Sequence, residues 1–133
     1  MGISTVRAEK FVTLLDAVVL TANSEMIPVK GKVNQTIEVI TTGFSGTLKF
    51  YGSISDDAPA LGTAASLTNT YWDVEAKDRN NDGSVVGTTG KTYTTDTSIK
   101  AYGLNVDAIS YFGVKMTRTA GTITVRARAT DNA

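Results

Sequence analysis

From Phe112 to Thr130 the chain alternates apolar and polar residues, and this pattern limits the possible folds more than any other feature. Phe112, Val114 and Met116 share one parity. Ile123, Val125, Ala127 and Ala129 share one parity further on, opposite Thr122, Thr124, Arg126, Arg128 and Thr130. Side chains repeat every two residues in a β-strand, so both runs belong to a sheet with one buried and one wet face. Ala120-Gly121 between them reads as a turn.

The same period continues upstream. Ala17–Leu20 reads as a first short strand and Glu25–Val29 as a second, ending near Pro28. Lys32–Thr41 carries Val33, Ile37 and Val39 on one parity, with Gln35 interrupting them. Gly43-Phe44-Ser45-Gly46 then reads as a tight connection, and Thr47–Gly52 resumes alternation to complete a β-hairpin. Ser55–Asn69 is polar and reads as a loop. Tyr71–Ala76 places Trp72, Val74 and Ala76 inward and leaves Tyr71 outward. Asn81-Asp82-Gly83 is a hairpin turn leading to Ser84–Val86, and Thr97–Val106 is a further strand. The composition agrees: 21 Thr, 9 Ser and 12 Gly against 2 Pro suit a pleated surface broken by turns. The expected fold is all-β, a single antiparallel β-sandwich or jelly roll over residues 16–133. Residues 1–15 stand apart as an N-terminal arm or short helix, with Val6, Phe11, Leu14 and Leu15 as its apolar residues and Ser4 or Thr5 as a cap. Such a segment either packs across its own domain or docks on a neighbouring subunit.

A chain of 133 residues holds one hydrophobic core, and 13 Lys+Arg balance 13 Asp+Glu. Nucleic-acid binders that work by counterion release carry a basic excess, so no nucleic-acid partner is expected. The chain has no Cys and no His, which excludes disulfide scaffolds, thiolate or imidazole metal sites, and His-dependent triads. The longest apolar run, Ala17–Leu20, is far short of the roughly 20 residues that span a bilayer, so no membrane partner is expected. No secretory signal is evident, and assembly in the cytoplasm of the producing cell is expected.

Five groups of residues bear on chemistry. Asp78-Arg79-Asn80-Asn81-Asp82-Gly83 matches the first half of a calcium loop, with Asp78, Asn80 and Asp82 as oxygen ligands. Its twelfth position is Thr89 in place of the bidentate Glu, so a polar hairpin tip is the leading reading and no cofactor is expected beyond this calcium alternative. Asp56-Asp57 and Asp73/Glu75 are carboxylate pairs with nothing to mark them as desolvated, which leaves no catalytic residue to assign. Tyr51 and Tyr71 are outward aromatics suited to a protein interface or, alternatively, to sugar stacking. Arg118, Arg126 and Arg128 cluster with Lys115 and suit either a solvated face or carboxylates on a partner chain. Gly87-Thr88-Thr89-Gly90-Lys91-Thr92 imitates the end of a P-loop but lacks its upstream glycine and its βαβ context.

One ordered series joins these elements: Gly43–Ser53, Tyr71-Trp72-Asp73-Val74, Tyr102–Val106, Phe112–Met116 and Ala120–Ala127. Over about residues 16–130 the series resembles small β-sandwich virion proteins of tailed bacteriophages. Those proteins carry a glycine-flanked hairpin, a Trp strand, a Tyr strand, an Arg-bearing strand and a closing Thr/Val strand. Val114–Arg118 keeps only the basic character of the Arg-bearing strand, and the loop between Gly52 and Trp72 is longer than in the compact form. The resemblance implies a non-enzymatic virion part, foremost a capsid decoration (cement) protein, with a tail, neck or collar component as the alternative. A carbohydrate-binding β-sandwich module is a further alternative. The implied partners are the major capsid protein or other virion proteins and further copies of the chain, with a trimer as the form considered. The implied location is the virion, assembled in the host cytoplasm.

Overall fold

Strand alternation runs straight through two of the apparent turns. The computed structural model describes residues 11–62, 70–79, 85–86 and 90–130. It shows β1 (Val12–Val18), β2 (Ala22–Asn23), β3 (Ile27–Pro28), β4 (Asn34–Ser53), β5 (Trp72–Asp73), β6 (Ala76–Asp78), β7 (Val85–Val86), β8 (Lys91–Asn105) and β9 (Tyr111–Thr130). The described residues contain no helix, so the described part of the N-terminal segment is extended, with residues 12–15 inside β1. The strands form one antiparallel sheet in the order β1-β9-β4-β8-β6-β7. β2 and β3 follow β1 along the same side of β9, and β5 pairs with the end of β4 beyond β8.

The hairpin expected around Gly43–Gly46 is therefore corrected, as is the turn at Ala120-Gly121. β4 and β9 stay paired from Asn34↔Thr130 to Ser53↔Tyr111, with a register irregularity only between Thr42 and Gly46. Glycine at positive φ serves a hairpin turn and a β-bulge equally well. Here the irregularities face one another, so neither strand reverses.

These bulges line up across four strands. Positive φ occurs at Ala17 in β1, Gly121 in β9, Gly43 in β4 and Thr95 in β8. Each bulge removes ladder hydrogen bonds, and hydroxyls from adjacent strands replace them. The Ala17 N–H donates to Thr124 Oγ1 at 2.9 Å, the Gly43 N–H to Thr97 Oγ1 at 2.8 Å, and the Thr95 N–H to Ser45 Oγ at 2.9 Å. Arg118 Nε closes the set by donating to the Gly121 carbonyl at 2.6 Å. The hydroxyls of Thr124, Thr97 and Ser45 thus stand in for absent backbone partners along a crease.

The crease divides β4 and β9 into a near arm (residues 34–42 and 122–130) and a far arm (residues 46–53 and 111–118). Ile37, Val39, Val125 and Ala127 are buried on the near arm, and Leu48, Phe50, Phe112, Val114 and Met116 on the far arm. The arms meet where Phe50 approaches Tyr102, the ladder partner of Ile37, at a ring separation of 5.7 Å. Fully burying one such Phe side chain is worth about 1.5–3 kcal/mol. The expected sandwich or jelly roll is not seen as two separate sheets, because the same long strands run through both arms. Tyr93 and Tyr102 share a buried hydroxyl–hydroxyl bond of 2.9 Å. Burial, and for Tyr93 this bond as well, raises the Tyr93 phenol far above the ordinary value. Gln35, on the inner parity and 2% exposed, finds no partner for either amide atom among the described residues.

At the crease, Gly121 and Gly43 should respond differently to the same substitution. A Cβ on Gly121 would run into the Gly43 carbonyl, whereas a Cβ on Gly43 meets nothing and suffers only its φ of 57°. Gly121→Ala should cost about 3 kcal/mol or more and Gly43→Ala about 1 kcal/mol, read from denaturant midpoints. Equal losses would refute the close approach.

Asp96 accepts from Ser98 Oγ at 2.6 Å and from Thr41 Oγ1. The bonds from Ser98 and Thr41 hold its carboxyl below the ordinary value. A carboxyl whose folded pKa is depressed stabilises fully above the unfolded value of about 3.9, and loses that contribution as pH falls through the lower folded value. Asp96→Asn should therefore cost about 1 kcal/mol at neutral pH, a figure reduced for its partial exposure, and flatten the acid limb of stability against pH. An unchanged acid limb in the variant would show that Asp96 does not supply it.

Candidate interaction face

On the near arm the outward residues form rows set by the ladder. Glu38 lies between Arg126 on β9 and Ala101 on β8, and Thr36 lies between Arg128 and Gly103. Arg126 pairs with Glu38 at 3.6 Å, and its guanidinium stands 4.9 Å from the centroid of Phe11. Phe11, half exposed at the edge beside β1, joins Thr36, Glu38, Arg126, Ala127 and Arg128 around a shallow concavity of about 410 Å³. Arg128 is exposed, and among the described residues no carboxylate lies within ion-pair distance of it. Beyond these rows, Ile99 is 68% exposed and pairs across the ladder with half-buried Ile40. The face is thus cationic and apolar together, which is the character of a protein-contact surface.

The far arm carries a second cluster. Lys49 and Lys115 are direct cross-strand partners, an arrangement unfavourable for like charges. Three neighbours offset the repulsion. Lys115 Nζ stands 4.8 Å from the Tyr51 ring centroid and 4.9 Å from that of Tyr71, while Lys49 Nζ lies 3.6 Å from Asp73. Burial pulls the Lys49 ammonium down, but Tyr51 and Asp73 outweigh it and hold it above the ordinary value.

The sequence-derived residues divide among these places. Phe11, Arg126 and Arg128 come together on the near arm, joined by Leu14 only in that it is half-buried in β1. Leu15 is a core residue. Arg118 belongs to the crease through its bond to Gly121 and is not brought to the other arginines. Val6 lies outside the described residues, as do Asn80 and Asp82 of the calcium-like loop. Asp78 is buried beside Tyr102 on the ladder, and no group of three or more acidic residues is placed to hold a metal ion among the described residues.

Two aromatic assignments are reversed. Tyr51 has outward parity but is 8% exposed, because it lies opposite Gly113, and Met26 and Leu61 close over that glycine from outside. Trp72 has inward parity but is 41% exposed. β5 pairs only with β4, and Val74 and Ile109 already fill the space over Gly52, its ladder partner. Tyr51 and Tyr71 meet edge-on at 76°, so they do not form the coplanar platform that sugar stacking requires. Sequence reasoning missed Arg79. Its guanidinium lies over Gly103, 24 positions further along the chain, and no local pattern announces that contact.

No family model matches the chain, and no curated protein matches it in sequence. Its fold is one carried by a protein of prophage origin. The crystal structure of SPBc2 prophage-derived protein YomS matches it with a TM-score of 0.71, covering 96% of each chain at 12% sequence identity. At that identity the likeness establishes a shared fold.

The reversal of Tyr51 and Trp72 can be measured. Tyr51→Ala should cost about 3 kcal/mol and Trp72→Ala less than about 1 kcal/mol in urea unfolding. The opposite ranking would mean that the roof over Tyr51 is absent in solution.

Proposed function

We propose that this chain is a non-enzymatic structural component of a bacteriophage virion, a capsid decoration protein that cements the head through protein contacts. The observation that carries this reading is the fold shared with a prophage-derived protein along 96% of both chains. Two features support it. The cationic and apolar outer face of the near arm is suited to protein contact, and zero formal net charge suits many copies packed side by side without cumulative repulsion. The partners on this reading are the major capsid protein and further copies of the chain, in the virion assembled within the host cytoplasm. The N-terminal residues add binding area on a neighbour without enlarging the core.

The structure sharpens the test of that arm. Leu14 and Leu15 pack with the core, so the truncation must stop before Phe11. Removal of residues 1–10 should leave the sheet folded by circular dichroism while lowering the number of copies retained on purified heads. Undiminished saturation of heads by the truncated protein would refute the arm. Absence of the full-length protein from purified particles would refute the virion reading, and its presence on tails alone would move it to a tail, neck or collar part.

A further inference from the structure

Gly103 faces outward on β8, directly across the ladder from Thr36, which in turn faces Arg128 on β9. A methyl group at Gly103 would occupy the space filled by the Arg79 guanidinium. Only glycine at this position lets that side chain lie flat against the sheet. The Arg79 backbone is itself anchored, its N–H donating to the Ala101 carbonyl at 2.8 Å. The Arg79 guanidinium, lying over Gly103 on β8, and Arg128 on β9 therefore flank Thr36 from both sides, over strands about 10 Å apart, two inter-strand spacings. Among the described residues no carboxylate lies within ion-pair distance of either arginine: Glu38 is held by Arg126 at 3.6 Å, and Glu75 shares with Lys77, Arg79 and Gly103 the concavity next to the one that Thr36 and Arg128 line. Exposed Thr36 offers a hydroxyl donor between them.

We propose that Arg79, Thr36 and Arg128 form an oxyanion cradle whose occupant is a carboxylate of a protein partner. This rests on the virion reading and names the chemistry by which the near-arm face takes its partner. Guanidinium forks match a planar carboxylate, binding it through paired N–H donors. A nucleic-acid backbone fits poorly, because the chain as a whole carries no basic excess to release counterions from a long run of phosphates.

The test is a titration of the full-length, nitrogen-15-labelled protein, followed at the arginine Nε–H and backbone amide resonances. The probes are an end-capped tetraglutamate peptide, inorganic phosphate and a thymidine oligonucleotide. Tetraglutamate should shift Arg79 Nε–H, Arg128 Nε–H and the Thr36 amide. Arg79→Gln and Arg128→Gln should each weaken its binding about tenfold, while Arg118→Gln leaves it unchanged. Gly103→Ala, which displaces Arg79, should weaken binding like Arg79→Gln, with the remaining amide spectrum preserved. The cradle is refuted if those resonances stay still at millimolar peptide, or if Arg118→Gln weakens binding as much as Arg79→Gln. Tighter binding of phosphate or of the oligonucleotide than of tetraglutamate would overturn the carboxylate assignment. Arg79→Gln protein that loses the peptide yet fills heads normally would refute the cradle's role while leaving the virion reading intact; absence of the wild-type protein from particles would do the reverse.

Discussion

Everything in this molecule depends on replacing lost ladder hydrogen bonds along one crease. β4 and β9, which run from Asn34 to Ser53 and from Tyr111 to Thr130, can bend without breaking because the donors freed at Ala17, Gly43 and Thr95 find hydroxyl acceptors on adjacent strands. Thr124, Thr97 and Ser45 give each of these N–H groups a protein acceptor, and at these exposed positions each bond contributes about 0.5–1.5 kcal/mol. With them, the crease brings Phe50 of the far arm against Tyr102 of the near arm and a single sheet encloses its own core.

The crease also sets the two outer faces. On the near arm, Arg126, Arg128 and Glu38 stand on the side away from the core because Ile37, Val39, Val125 and Ala127 are turned inward. Their positions are as rigid as the ladder beneath them, which favours a surface that presents charge in fixed geometry. On the far arm, the chain from Ser24 to Met26 and the loop reaching Leu61 fold back over Gly113, adding a thin outer layer that buries Tyr51 and seats Lys115 on two aromatic rings.

Parity was legible in the sequence along most of β9, which is paired on both sides for much of its length. Phe112, Val114, Met116, Ile123, Val125 and Ala127 are all buried, as their alternation requires. Parity failed at Trp72 and Tyr51 because burial there is decided by a neighbour absent from the local pattern: an edge with nothing beyond it in one case, a roof from another segment in the other. The turn signals at Gly43–Gly46 and Ala120-Gly121 marked real backbone irregularities but not reversals. A glycine with positive φ is common to hairpins and bulges, and only the partner strand distinguishes them. Of the candidate contact residues, Arg126 and Arg128 belong together by spacing alone, whereas the removal of Arg118 to the crease and the approach of Arg79 to Gly103 do not follow from spacing.

The alternation from Phe112 to Thr130, with its Thr-rich surroundings, by itself determined an all-β protein with one apolar and one polar face, since no other backbone repeats every two residues. The lack of Cys and His likewise removed the chemistries that need a thiolate or an imidazole. Tertiary structure alone decided that two runs of alternation form one bent strand, that its hydroxyls complete a crease, and which arginines share a face. The reason is physical: parity is a property of a strand's own backbone, whereas a bend and a side-chain cluster are properties of pairing, and pairing joins residues tens of positions apart in the chain.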